Sequence, residues 1–385
     1  MGYRCLYPRA AAVTTCRRRR RPGAEEQAAV IAAHGHHAFG RLRRPRAAAG
    51  VALLVLASLV VLVAGLLGSR PTLLRGWLFA FAVWSCIPIG SMTLLLIHRL
   101  TGGRWGRAAA PVLRPFAAMM PLVAIAVLPV LTGLRDIYPW ASDPTQIKPD
   151  VARWYLSEPA FIARSAIALT GWSVLGVTFA LDAGGRILAA LGLAFFGLMI
   201  SLVAVDWYLS LEPHYVATAF ASMIAIQQLL AALAVVAVIS PPQFEGRAVS
   251  DIAGLLIATL LGVVYLEYMT YVVAWYGDLP DKAAWFLERS HGAWLVALLA
   301  SFILGAVLPF ALLLFESVRS NRLALRIVGA LLLIGTILHL AWLIVPVFVA
   351  QGAVVAAGVG VLVVLAIASV LIAGEAASTE VRHAD

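Results

Sequence analysis

RILAALGLAFFGLMISLVAV (186–205) is a twenty-residue run broken only by Arg186 at its start and Ser201 near its end. At 1.5 Å per residue, a helix of that length is about 30 Å long, which matches the hydrocarbon thickness of a bilayer. The next residues complete the stretch VDWYLSLEPHY (205–215), which sets Asp206, Glu212 and His214 ahead of a second apolar run. A membrane-crossing helix that stops at a polar turn accounts for both.

Runs of the same kind recur on either side. Ten are long enough to cross, at about 49–69, 76–98, 116–134, 160–182, 186–206, 215–239, 251–275, 292–316, 326–348 and 352–374. The composition agrees, with 62% hydrophobic and 12% charged residues and a mean hydropathy of +0.92. A soluble domain has about 45–50% apolar and about 25% charged residues. The expected fold is therefore an all-α integral membrane protein with ten transmembrane helices over 49–374. A basic tail (1–48) precedes it and a short tail (375–385) follows. Kinks are expected at Pro88, Pro121, Pro129 and Pro346, where the ring removes a helix hydrogen bond.

The formal charge of +10 does not point to nucleic acid, because eleven of the 29 Lys and Arg residues lie in the first 46 positions. A basic tail of that kind suits an anionic inner leaflet. His34, His36 and His37 in AAHGHH are a second reading of the tail, as metal ligands. The three cysteines, Cys5, Cys16 and Cys86, have neither metal-binding nor haem-attachment spacing, so no metal site is expected and no covalently bound cofactor. Lys and Arg divide twenty-one to eight in favour of both termini lying inside. Without the tails the division is nine to eight, so the orientation rests on the tail.

On that topology VDWYLSLEPHY is an outer turn. Trp207, Tyr208 and Tyr215 fit an interfacial aromatic belt. The turn reads either as an anchored surface element or as a docking and proton-exit site built on Asp206, Glu212 and His214. Two ionisable groups lie deeper, Glu267 in YLEYMTYVVAWYGDLP and His339 in TILHLAWLIVPVF. A charge at mid-bilayer costs at least about 2.5–3.5 kcal/mol, so such residues are functional candidates. Helical spacing puts Glu267, Tyr268, Tyr271 and Trp275 on one stripe facing the bundle interior, and Thr336, His339, Trp342 and Pro346 on another. Glu and His exchange protons readily. A relay from His339 through Glu267 to Asp206, Glu212 or His214 is one expectation, and satisfied interhelical hydrogen bonds are the other. For Gln227 and Gln228 the structural reading is preferred. Arg164 is expected to snorkel outward toward Glu158.

Several loops carry a family resemblance. HRLTGGRWG (98–106) resembles the HLTGGxWG signature of the ActF-type membrane subunit of alternative complex III, a bacterial quinol:electron-acceptor oxidoreductase. In the same order, MPLVAIAVLPVLTGLRDIYPWA (120–141), WYLSEPAFIAR (154–164), VDWYLSLEPHY, WYGDLPDKAAWFLERSHGAW (275–294) and HLAWLIVPVF (339–348) are similar to that family's segments. The matches span about residues 75–348. In RAAAPVLRPFAA (107–118), Pro115 or Phe116 stands where the family carries a carboxylate, so no inner proton entrance carries over.

The resemblance implies an NrfD-like fold of two four-helix bundles, made of the second to fifth and the sixth to ninth runs and flanked by the first and tenth. It implies a non-catalytic subunit in the bacterial inner membrane that offers a proton route. The implied partners are an NrfD-like quinol-binding subunit, an iron–sulfur protein and a multihaem cytochrome c, with quinone or quinol at the subunit interface. Trp207, Tyr215, Trp275, Asp278, Trp285 and Arg289 are the expected docking residues. A proton-coupled secondary transporter and a purely structural scaffold are the alternatives.

Overall fold

The computed structural model describes residues 69–240, 246–277 and 280–383, with side chains described to residue 370 except at 281. The tail 1–48, nearly all of the first apolar run, and Asp278 lie outside the described residues. Among the described residues there are no strands, and nine helices are long and apolar enough to cross a membrane. We label them α1 (Arg70–Thr101), α2 (Arg104–Thr132), α3 (Glu158–Ala180), α4 (Arg186–Trp207), α5 (Phe220–Ile239), α6 (Arg247–Tyr276), α7 (Gly292–Leu314), α8 (Arg322–Ile344) and α9 (Gln351–His383). They correspond in order to the second through tenth apolar runs.

α1 is the hub. Of its most apolar window 89% is buried, against 11% for α7, so α1 is packed all round while α7 leaves most of its surface to lipid or a partner. α1 packs on α2, α3, α4, α5 and α9, while α5 packs on α6 and α8, and α7 on α8. Small residues permit these approaches. A Cβ on Gly90 would lie 2.0 Å from the Gln228 carbonyl oxygen of α5, so α1 and α5 meet backbone to backbone there.

The prolines act unequally. α2 is interrupted at Met119 and Val127, just before Pro121 and Pro129, and Pro346 sits in a terminal 3₁₀ turn after α8. Pro88 lies inside α1 without breaking it. α7 carries a π-helical turn, Ile303–Val307, where Gly305 packs on Gly335 of α8.

The loop between α2 and α3 folds back as a cap. Buried Tyr138 donates its hydroxyl to the Trp207 carbonyl at 3.0 Å, and Trp140 donates its indole N–H to Ser210 at 3.2 Å. The cap covers Trp207 and Ser210 at the start of the polar turn after α4, and His214 farther along stays exposed.

Candidate functional site

Glu267 of α6 and His339 of α8 meet. Glu267 Oε1 lies 3.4 Å from His339 Nε2, although the two are 72 positions apart in sequence. The pair borders a cavity of ≈ 460 Å³ between α5, α6, α7 and α8, whose wall is otherwise mostly apolar and aromatic. His339 is buried and Glu267 is partly exposed at the cavity's edge. The π-helical turn helps shape the wall, because its Gly305 and Ala306 line the cavity. Such turns widen a helix locally and recur at functional sites.

Gln227 of α5 donates to the Thr336 hydroxyl at 3.0 Å, one helical turn before His339. This is the interhelical hydrogen bond expected for the glutamines. Gln228 differs, since its buried amide nitrogen and oxygen find no partner among the described residues. On the cavity side, His339 Nδ1 and Gln227 Oε1 are also buried without a hydrogen-bond partner. Buried polar atoms left unpaired cost about 1–3 kcal/mol each, so groups of this kind call for water or a polar ligand.

Tyr268 and Tyr271 line the same cavity but stand 62% and 49% exposed. The expected stripe therefore does not face the bundle interior; it forms the cavity's outer edge. Trp275, 69% exposed, continues it outward and stacks on Tyr271. α6 is more open than its neighbours α5 and α8, its window being 33% buried against 67% and 56%. In α8, by contrast, Thr336, His339 and Trp342 are all buried as expected.

Beyond the pair lies an ion cluster built by the turn after α4 and the helix Pro280–Glu288. Arg289 is buried and holds Glu212 through both guanidinium nitrogens, one contact being 3.3 Å. Trp285 donates its indole N–H to the same carboxylate. The Arg289 guanidinium lies 4.0 Å from the centre of the Trp285 ring, and Tyr215 stacks on the same ring at 4.2 Å. Burial lowers the Arg289 pKa while Glu212 opposes the shift, and burial pushes the Tyr215 phenol up to about 12. Tyr215 is thus a neutral hydroxyl at physiological pH. Trp342 connects the two clusters, stacking on His339 at 5.9 Å and meeting Trp285 edge-on at 5.3 Å. Its indole N–H donates to the Arg289 carbonyl at 3.3 Å.

Asp206 belongs to neither cluster. It is fully buried and takes a bidentate pair from Arg164, at 2.6 and 2.8 Å. Arg164 also donates to the Tyr155 carbonyl at 2.9 Å and lies over the Tyr155 ring. Two expectations are corrected here. Arg164 does not snorkel to Glu158, which instead pairs with Arg135 at 2.8 Å, and Asp206 is not at a wet surface. Arg164 lies six residues into α3 and Asp206 one residue before the end of α4. Both are therefore about 9 Å or less from the same end of an antiparallel pair, which brings them level.

The expected relay is therefore divided. His339 and Glu267 are joined, whereas Glu212 is committed to Arg289 and Asp206 to Arg164, and His214 is exposed apart from both. The docking and belt residues are corrected too. Trp207, Tyr208, Tyr215, Trp285 and Arg289 are 1%, 6%, 6%, 7% and 1% exposed. Trp207 instead centres a core with Phe81 and Trp172 and donates to Ser165 at 2.9 Å. Only Trp275 of the described candidates presents an accessible face. No family model and no curated protein matches the chain.

Proposed function

We propose that this chain is a cofactor-free, multi-pass subunit of a respiratory quinol-oxidising assembly of the alternative complex III type, and that the Glu267–His339 pair moves protons for it. The observation that carries the proposal is that pair, an acid and a base from two helices brought to 3.4 Å beside a cavity. In an apolar wall a carboxylate and an imidazole favour either a shared proton or a charged pair, and a proton can pass between them without either group leaving the cavity. His339 Nδ1 and Gln227 Oε1 supply further hydrogen-bonding positions for water or for a quinone ring at the cavity's edge.

The loop resemblances supply the class of assembly. In this reading the chain has the two-bundle NrfD-like arrangement and sits in the bacterial inner membrane with both termini cytoplasmic. It lies beside an NrfD-like quinol-binding subunit, an iron–sulfur protein and a multihaem cytochrome c. The Arg289–Glu212 and Arg164–Asp206 pairs then serve as fixed braces of the outer loops, and the exposed side of α7 and the Trp275 edge are the surfaces left for neighbours. Purification of the full chain from its native membrane in mild detergent tests the assignment. Haem- and iron–sulfur-bearing polypeptides with quinol-oxidising activity are expected to accompany it. A solitary monodisperse protein from membranes that do oxidise quinol would overturn it.

A further inference from the structure

At the other end of α4 from the Glu212 cluster lies a second cavity, of ≈ 330 Å³. The last turn of α1 contributes His98 and Arg99, the first three turns of α2 contribute Arg107 and Arg114, Asp182 comes from the α3–α4 turn and Arg186 begins α4. Leu95 and Phe179 form an apolar side. Four guanidiniums thus face one carboxylate. Asp182, held in a left-handed backbone conformation with φ 59°, is already used: it pairs with Arg99 and, at 2.9 Å, with Arg114. Arg107 and Arg186 have no hydrogen bond or ion pair among the described residues, and Arg114 Nε is a buried donor without an acceptor.

Two further features make this a built site. Arg186 is the first residue of α4, where the helix dipole repels a cation and attracts an anion. Its position costs stability unless negative charge sits beside it. The TGGRWG turn also shapes one wall. Gly102 and Gly103 take φ of 69° and 102°, and a Cβ on Gly106 would lie 2.1 Å from the His98 ring. Trp105 meets that ring edge-on at 5.2 Å, and His98 Nδ1 donates to the Gly102 carbonyl at 3.1 Å. The motif that carries the family resemblance is thereby explained as a tight turn that holds His98 against the basic cavity.

We propose that this cavity binds a phosphate group. Planar guanidiniums present paired donors that match phosphate oxygens, and basic pockets between helices at the membrane surface hold anionic headgroups. Leu95 and Phe179, both buried, give the cavity an apolar floor beneath the guanidiniums. The chemistry is the same for a lipid phosphodiester and for a soluble phosphate, and the test separates them. It does not depend on the redox assignment above.

The full chain in neutral detergent is titrated with phosphatidylglycerol, with phosphatidylcholine and with inorganic phosphate, following the thermal midpoint. The double variant Arg107→Gln/Arg186→Gln leaves the Asp182 ion pairs in place. The control Arg70→Gln/Arg153→Gln removes the same charge from the opposite end. Saturable stabilisation by phosphatidylglycerol alone, weakened on the order of tenfold in the double variant and unchanged in the control, supports a lipid headgroup. The same pattern with inorganic phosphate supports a soluble phosphate. A double variant that responds like the control, or no saturable response to either anionic probe, overturns the proposal.

Discussion

Replacing Arg164 with Met isolates the energetics of a deeply buried ion pair, in which Asp206 has no exposed side-chain surface and Arg164 only 15%. The guanidinium makes two charge-assisted hydrogen bonds to Asp206, at 2.6 and 2.8 Å, and a third to the Tyr155 carbonyl at 2.9 Å. Asp206 itself has no exposed surface. Met fills much of the aliphatic volume but strands the carboxylate, and breaking a buried pair from one side costs roughly 3–5 kcal/mol. Protonation of Asp206 would cap the loss, since each unit of pKa shift is worth about 1.4 kcal/mol. The double variant Arg164→Met/Asp206→Leu removes both charges and is expected to recover most of the loss, because desolvation of the pair already consumes much of its Coulombic gain. Denaturant unfolding of the full chain in a fixed detergent measures all three proteins. A single variant costing under about 1 kcal/mol, as surface pairs do, would refute the reasoning. So would a double variant at least as damaged as the single one.

Helix packing and pH give two more tests. A Cβ on Gly335 would lie 2.1 Å from Gly305 Cα, so Gly335→Ala must push α8 off the π-helical turn and should cost about 1–3 kcal/mol or more in the same unfolding assay. Gly254→Ala, with open space at its Cβ, is expected to cost little, and equal losses for the two would contradict the close approach. Desolvation pushes the Asp182 carboxyl up, but the Arg114 and Arg99 guanidiniums outweigh it and leave the pKa below its usual value. A depressed folded pKa contributes stability above the ordinary carboxylate range and loses it as pH falls through the folded value. The wild type should therefore lose its advantage over Asp182→Asn on acidification below that range, and a pH-independent difference would contradict the pairing.

The sequence exposes the membrane fold well, because a run such as 186–205 admits few other structures. Among the described residues, all nine helices of membrane-crossing length fall on apolar runs read from composition and length alone. The deep pair was also legible, since a carboxylate and an imidazole in lipid are costly unless they find each other or water. What was not legible was which charges meet at helix ends. Arg164 could be counted six residues into its helix, but choosing Asp206 over Glu158 requires knowing that α3 and α4 are neighbours and antiparallel at one level. The aromatic belt failed for a related reason. Trp207 and Tyr215 have the composition of an interface, yet the loop carrying Tyr138 and Trp140 folds against Trp207, and Trp285 and Phe286 pack on Tyr215. A loop's cover is a tertiary contact, and no local pattern announces it. The basic cavity was hidden similarly, because its arginines come from three different helices, each of which looks on its own like an ordinary basic flank.

The central claim is that Glu267 and His339 handle a proton together. Glu267→Gln keeps the side chain's size and a polar group 3.4 Å from His339 while removing the titrating carboxyl, so it should leave assembly intact. Quinol-driven turnover or proton release in the reconstituted assembly is expected to fall by about tenfold or more, in line with the loss of a positioned acid–base group. An assembled Glu267→Gln protein with both quantities unchanged would contradict the account.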